Sequence, residues 1–303
     1  MTAPLVSPPS ELATDKTVGI DSLAVRHQRR RLLKAAEAPW LNREVSGRMA
    51  ERLQVIKLQP ATVIQWSAWL GGSHDDLAQA YPQARQVWVD LDESRAPQAG
   101  FVDKLLRRKL PQQLRPEQVE PGGAELLWAN MCLHGSSQLP ALLQAWQRSL
   151  AVDGFLMFSC LGPDSFVELR PLYAREGWGE PAPPWIDMHD IGDELVQAGF
   201  ADPVMDQELL TLTWSSPESL LADLRALGGN VSPKRFAGLR SRAWKQRLLQ
   251  ALEGLRGADG LLRARVELIY GHAFKPAPRA RLAAETAVSL DDMRAMVRKP
   301  GRR

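Results

Sequence analysis

The chain has 303 residues, 45% of them apolar and 24% charged, a composition that suits one large globular domain with additions and excludes neither an enzyme nor a binding protein. Its 38 basic and 35 acidic side chains nearly balance, so a pI near 9.0 does not amount to a nucleic-acid-binding composition. Cys132 and Cys160 lie in apolar runs without zinc spacing, no apolar run is long enough to cross a membrane, and the N-terminus lacks a secretion signal; a reducing cytoplasmic setting with no metal and no membrane is expected.

Residues 1–21, rich in Pro and Ser, read as a mobile tail. A helix begins after Asp21 and carries the basic run Arg26, His27, Gln28, Arg29, Arg30, Arg31, which is either a solvated face or a surface for a phosphate or an acidic carrier. A second helix spans 41–56, where Leu41, Val45, Met49, Leu53 and Ile56 recur at helical spacing. Residues 61–66 form a strand, 67–73 a loop, 75–80 a helix and 86–89 a second strand ending in Asp90. In a strand, loop, helix, strand unit that holds an adenosine cofactor, an acid at that place binds the ribose. The pattern then decays through Pro97, Pro111, Pro116 and Pro121, with a basic amphipathic piece at 104–110.

Order returns with a strand at 124–130, a helix at 139–150 and a strand at 155–160. Residues 162–185 are rich in Gly and Pro; a helix at 187–198 stops at Gly199, and a strand follows at 203–213. Helices at 217–227 and 233–255 precede a last strand at 263–271, and residues after 276 form an appended segment. Strands alternating with helices imply an α/β fold: a Rossmann-like, mostly parallel sheet with helices on both faces over 22–276, extended by an N-terminal helix. Helices inserted at 217–255 between the last two strands suit a lid. Ligands are expected at the C-terminal strand ends.

Several runs are familiar. Trp128 to His134 resembles the fourth-strand signature of class I S-adenosylmethionine-dependent methyltransferases, and Leu150 to Phe158 resembles their turn into the fifth strand. Gly162 to Ser165 with Glu168, Leu169 and Arg170, then Asp187 to Asp193, then Tyr270 to Ala273, are most similar to the malonyl-acyl-carrier-protein O-methyltransferases of biotin synthesis. The resemblance implies S-adenosylmethionine as cofactor and a malonyl thioester, on an acyl-carrier protein or coenzyme A, as substrate. It places Gln65, Ser67, Gly71, Asp90 and Asn130 at the cofactor. The family carries an acid and three alternate glycines at the end of the first strand, where this chain has Gln65, Ser67, Trp69 and Gly71. Gln65 brings no charge opposite the cofactor's ammonium, and the indole of Trp69 fills the space of the carboxypropyl chain unless it turns away. The Asp153 to Gly154 turn departs as well, and no acid between Phe101 and Gly122 is a clear match for the one near the adenine.

The implied reaction needs no general base, because a carboxylate ionised at pH 7 is already a nucleophile; holding it in line is enough. An arginine fork matches its two oxygens. Arg225 on the lid is the first candidate and Arg170 the second, with His134, just past the fourth strand, as a further substrate contact. His189 and Asp190 open a helix and suit capping. The competing reading is a protein of the same fold that binds or assembles without catalysing. A nucleic-acid substrate lacks the interleaved aromatic and basic residues it calls for.

Overall fold

Runs of large and β-branched apolar residues with both faces covered build a central sheet. In the computed structural model of the chain, residues 19–90 and 110–278 are described. Most of the expected tail, nearly all of the basic piece at 104–110 and the appended segment from 279 onward therefore lie outside the described residues, and so does Phe101. Strands β1 (Thr62–Trp66), β2 (Arg85–Val89), β3 (Gln112–Leu114), β4 (Ala124–Ala129), β5 (Leu150–Leu161), β6 (Ala201–Trp214) and β7 (Leu262–Phe274) form one seven-stranded sheet in the order β3-β2-β1-β4-β5-β7-β6. The first five run parallel, and β7 runs antiparallel to both β5 and β6. Strand order reverses between β1 and β4, and this opens a crevice outside their C-terminal ends.

Side chains alternate across the sheet. Val63, Leu126, Trp128 and Phe155 face one core, closed by α2 (Trp40–Arg52) and α4 (His74–Ala80). Ile64, Leu127, Leu156 and Phe158 face the other, closed by α5 (Leu139–Ser149) and α7 (Met188–Gln197). Burying each such side chain contributes about 1.5–3 kcal/mol. Over the crevice lie α1 (Ser22–Leu32), α6 (Leu169–Glu176) and the lid helices α8 (Pro217–Ala226) and α9 (Arg242–Leu252).

Several details differ from the sequence expectation. The second lid helix starts at Arg242 rather than near Pro233, because the Ser241 hydroxyl accepts from the Trp244 N–H at 3.1 Å and caps it there. The Gly- and Pro-rich stretch 162–185 contains α6. Strand β5 begins at Leu150 and bends at its start: Asp153 takes a left-handed φ of 63°, and a Cβ on Gly154 would lie 3.0 Å from the Ala151 carbonyl. A side chain at 154 would crowd the Ala151, Glu125 and Ala124 carbonyls, so the altered turn still favours glycine there.

Candidate active site

The crevice is a cavity of about 630 Å³, in the range typical of small-molecule sites. Its floor is made where β1 and β4 end. Ser67 follows β1 with a left-handed φ of 56°, and its N–H donates to the Val89 carbonyl at 2.8 Å. A non-glycine residue in that region carries strain of about 1–2 kcal/mol, of the kind that clusters at functional sites. The chain then turns at once into the single-turn helix α3 (Ala68–Gly71). With 100° between successive helical residues, 67 and 70 share a side and 69 lies opposite. Ser67 and Leu70 line the cavity, while the half-buried Trp69 is not among its lining residues. The indole expected to fill the cofactor's space thus lies off this cavity.

Asn130, at the end of β4, is 1% exposed and locks this floor. Its amide nitrogen donates to the carbonyls of Gly71 and Asn42, both at 2.6 Å, and its oxygen accepts from the Ser159 hydroxyl at 2.6 Å. Gly71 fits against it closely, since a Cβ there would sit 3.4 Å from the Asn130 carbonyl oxygen. Neither residue lines the cavity; they fix the loop that does. Gln65 is also buried, its amide nitrogen donating to Gln86 at 3.1 Å and its oxygen left without a hydrogen-bond partner among the described residues. Asp90 is buried at the end of β2, its N–H bonded to the Leu114 carbonyl at 3.1 Å. Nearby Cys132 lines the cavity, and burial pushes its thiol up to about 12, with the Arg29 charge opposing and the Asp90 charge adding. It stays a protonated, unreactive thiol at neutral pH.

His134 lines the same cavity. Its Nδ1 accepts from the Leu161 N–H at 3.3 Å, and burial draws its pKa down to about 4. The ring is neutral at pH 7, with its proton on Nε2. Of the two candidate arginines only Arg225 lines the cavity. Its carbonyl accepts from Arg31 at 3.0 Å, while its guanidinium has no acceptor among the described residues. Arg170 lies off the cavity and donates to the Pro163 carbonyl.

Other cavity residues were not assigned to the site from the sequence. Val25, Gln28, Arg29 and Leu32 present one face of α1 to the cavity, and the Arg29 guanidinium donates to the Ser67 hydroxyl at 3.0 Å. Their i, i+3, i+4, i+7 spacing was the available signal, obscured by the surrounding run of arginines. Glu218 and Lys245 enter from the lid helices. Among the described residues no group of three metal-ligating side chains occurs, and no helix is long and apolar enough to cross a membrane.

No family model matches the chain. Over 270 residues it is 39% identical to the malonyl-acyl-carrier-protein O-methyltransferase of Gallionella capsiferriformans, an alignment covering 86% of this chain and 93% of that protein. The chain belongs to the malonyl-acyl-carrier-protein O-methyltransferase family. The family's member from Laribacter hongkongensis is 38% identical over 256 residues, 80% of this chain and 86% of its own. The fold is shared much more widely: YcgJ of Bacillus subtilis superposes with a TM-score of 0.52 at 10% identity, over 77% of this chain and 98% of that one.

Within this methyltransferase family the question raised by the loop is whether its residues still fit a cofactor. The cavity reaches the loop at Ser67 and Leu70 and the strand end at Met131 and Cys132, and Trp69 lies off it. A hydroxyl and a guanidinium meet at one end, the donor chemistry that a carboxylate needs. Gln65 and Asp90 do not line the cavity, so what the lining itself fits at that end is a carboxylate, met by Arg29 and Ser67.

Proposed function

We propose that this chain transfers the methyl group of S-adenosylmethionine to the free carboxylate of a malonyl thioester, carried by an acyl-carrier protein or coenzyme A, in biotin synthesis. The observation that carries the reading is Arg225, a cation facing a largely apolar cavity at the strand ends with no acceptor for its guanidinium among the described residues. When bound, the cofactor supplies a sulfonium methyl, whose S–C bond breaks as a carboxylate oxygen forms the new C–O bond. No proton moves, so this chain has to bind and align. Arg225 holds the malonyl carboxylate by a paired N–H fork and sets its approach. His134, neutral, offers an Nε2–H to the thioester carbonyl without adding charge. Ser67 and Arg29 hold the amino-acid end of the cofactor, and Asp90 serves the ribose. Gln65, Gly71 and Asn130 shape the loop from behind. Closure of α8 and α9 over the cavity excludes water. Two free thiols support a cytoplasmic setting.

Calorimetric titration with S-adenosylhomocysteine and a methyl-transfer assay with malonyl-coenzyme A test this. Micromolar binding and turnover are expected, and Arg225→Ala should raise KM for the malonyl thioester about 10- to 100-fold, the loss of a charge-assisted pair, with cofactor affinity within about twofold. The uncharged Gln65 where the family carries an acid favours the second reading, a partner protein without catalysis. Absence of S-adenosylhomocysteine binding at millimolar concentration would establish that one instead.

A further inference from the structure

Helix α1 has two faces with different partners. Val25, Gln28, Arg29 and Leu32 look into the cavity. Leu23, Arg26 and Arg30 look out, and Lys34 continues their line in the turn that follows; all four are exposed. Residues four apart stack along one side of a helix, so Arg26 and Arg30 form a ridge, and the exposed Lys34 follows in the turn just past its end. From residue 22 to 36 the sequence contains no acid, and none of Arg26, Arg30 and Lys34 has an ion-pair partner among the described residues. Elsewhere several arginines are matched with the protein's own acids, as in Arg48 with Glu208, Arg52 with Asp206, Arg247 with Glu176, Arg256 with Glu253 and Arg265 with Glu168, and exposed arginines without such a partner among the described residues, such as Arg85, Arg148, Arg170 and Arg242, lie apart from one another in sequence. A basic last turn also complements a helix dipole, which accounts for Arg29 to Arg31. It does not account for Arg26, or for the exclusion of acids.

Resting on the malonyl-thioester reading, we propose that the ridge of Arg26 and Arg30, with Lys34 past its end, is the docking surface for an acidic acyl-carrier protein. Charge complementarity selects the partner, since a like-charged or neutral surface gains nothing from three uncompensated cations side by side. Position selects its task. The ridge backs directly onto the cavity across one helix, about 10–12 Å with side chains, so a carrier seated there delivers its tethered acyl group over the edge of α1. Two further exposed cations, Arg225 and Lys245, line the cavity beyond that edge.

The test measures carrier binding apart from turnover. A malonyl-loaded acyl-carrier protein is titrated by surface plasmon resonance into the full chain, into R26E/R30E/K34E and into R26Q/R30Q/K34Q. The glutamine variant keeps helix propensity and avoids acids at the helix end, so it isolates charge from folding. Affinity should fall about tenfold or more in the glutamine variant and further in the glutamate variant, and the wild-type affinity should weaken steeply from 50 to 300 mM salt. Turnover of malonyl-pantetheine, which carries no protein, should stay within twofold in both variants. Carrier affinity unchanged in the glutamine variant overturns the docking surface. So does a chain captured by anionic phospholipid vesicles and not by the carrier. Carrier binding that is lost with the ridge while wild type shows no methyl transfer would instead sink the catalytic reading and leave the docking surface standing.

Discussion

Beneath the cavity Asn130 is closed upon by Gly71, Asn42 and Ser159, and the strands on either side are buried on both faces; above it α1 buries none of its residues completely. The roof is held by polar ties at its two ends. Asp21 joins Val231 through its N–H at 2.9 Å and Arg235 through its carboxylate at 2.7 Å, while Arg31 reaches the Arg225 carbonyl at 3.0 Å and Arg29 reaches Ser67. Floor groups fixed by desolvated hydrogen bonds move only when the core does. A helix tied by solvent-facing polar bonds opens locally at a small fraction of the global cost. The contrast separates a preorganised half of the site, where alignment matters, from a half that can part to admit a bulky tethered substrate.

The largest expected effect strikes the floor. Asn130→Ala strips donors from two carbonyls and an acceptor from a buried hydroxyl, and should cost about 2–4 kcal/mol in chemical denaturation. Asn130→Asp, which removes only the donors, should cost a similar amount, because a buried carboxylate then faces two carbonyl oxygens. A loss below about 1 kcal/mol for both would mean that the loop is held by packing alone, and the contrast with the roof would fail.

The next effect is a pH dependence from the edge of the floor. Burial lowers the His134 pKa from 6.5 to about 4, so between these values the unfolded chain binds a proton that the folded chain refuses. Stability should therefore decline as pH falls from about 6.5 towards 4 and be flat in this respect above 7. The ceiling is about 3 kcal/mol, and less for a half-buried ring. His272, lowered in the same direction by burial, adds to the slope. His134→Gln should remove most of it in urea titrations across that range; an unchanged slope would assign the effect to His272.

The floor was far more legible in the sequence than the roof. Strands β1, β4 and β5 are apolar runs with both faces buried, and such runs can hardly be anything else in an alternating pattern. Strand β3 was missed because Gln112–Leu114 is three residues long, follows Pro111 and has only Leu114 to mark it. The direction of Trp69 was not readable either: it depends on Ser67 taking a left-handed φ and starting a helical turn one residue later, a backbone choice that residue type alone leaves open. Asn130 gave a usable signal, a polar residue ending a buried strand, but not its meaning. A buried amide must find partners, and here those partners are chain groups from three other segments. On the roof, the lid boundary moved to Ser241 because a cap outweighed propensity, and Arg29 was hidden among arginines that point the other way.

The smallest effect, and the sharpest for the contrast, is at the hinge of the roof. Asp21 both caps α1, accepting from the N–H groups of Leu23 at 2.9 Å and Ala24 at 3.1 Å, and pairs with Arg235. The Ala24 N–H and the Arg235 guanidinium hold its carboxyl below the usual carboxylate range, so this tie is present above the ordinary value and is lost as pH falls through the lowered one. Asp21→Asn keeps a capping oxygen and removes the charge; Asp21→Ala removes both. In hydrogen exchange followed by mass spectrometry, amides of α1 should exchange several-fold faster in the alanine variant and less so in the asparagine one, while amides of β4 hold their protection. Those two rates discriminate between the architectures. If β4 exchange rises in step with α1, the helix belongs to the same cooperative unit as the sheet, and opening the roof would require unfolding the floor that aligns the reactants.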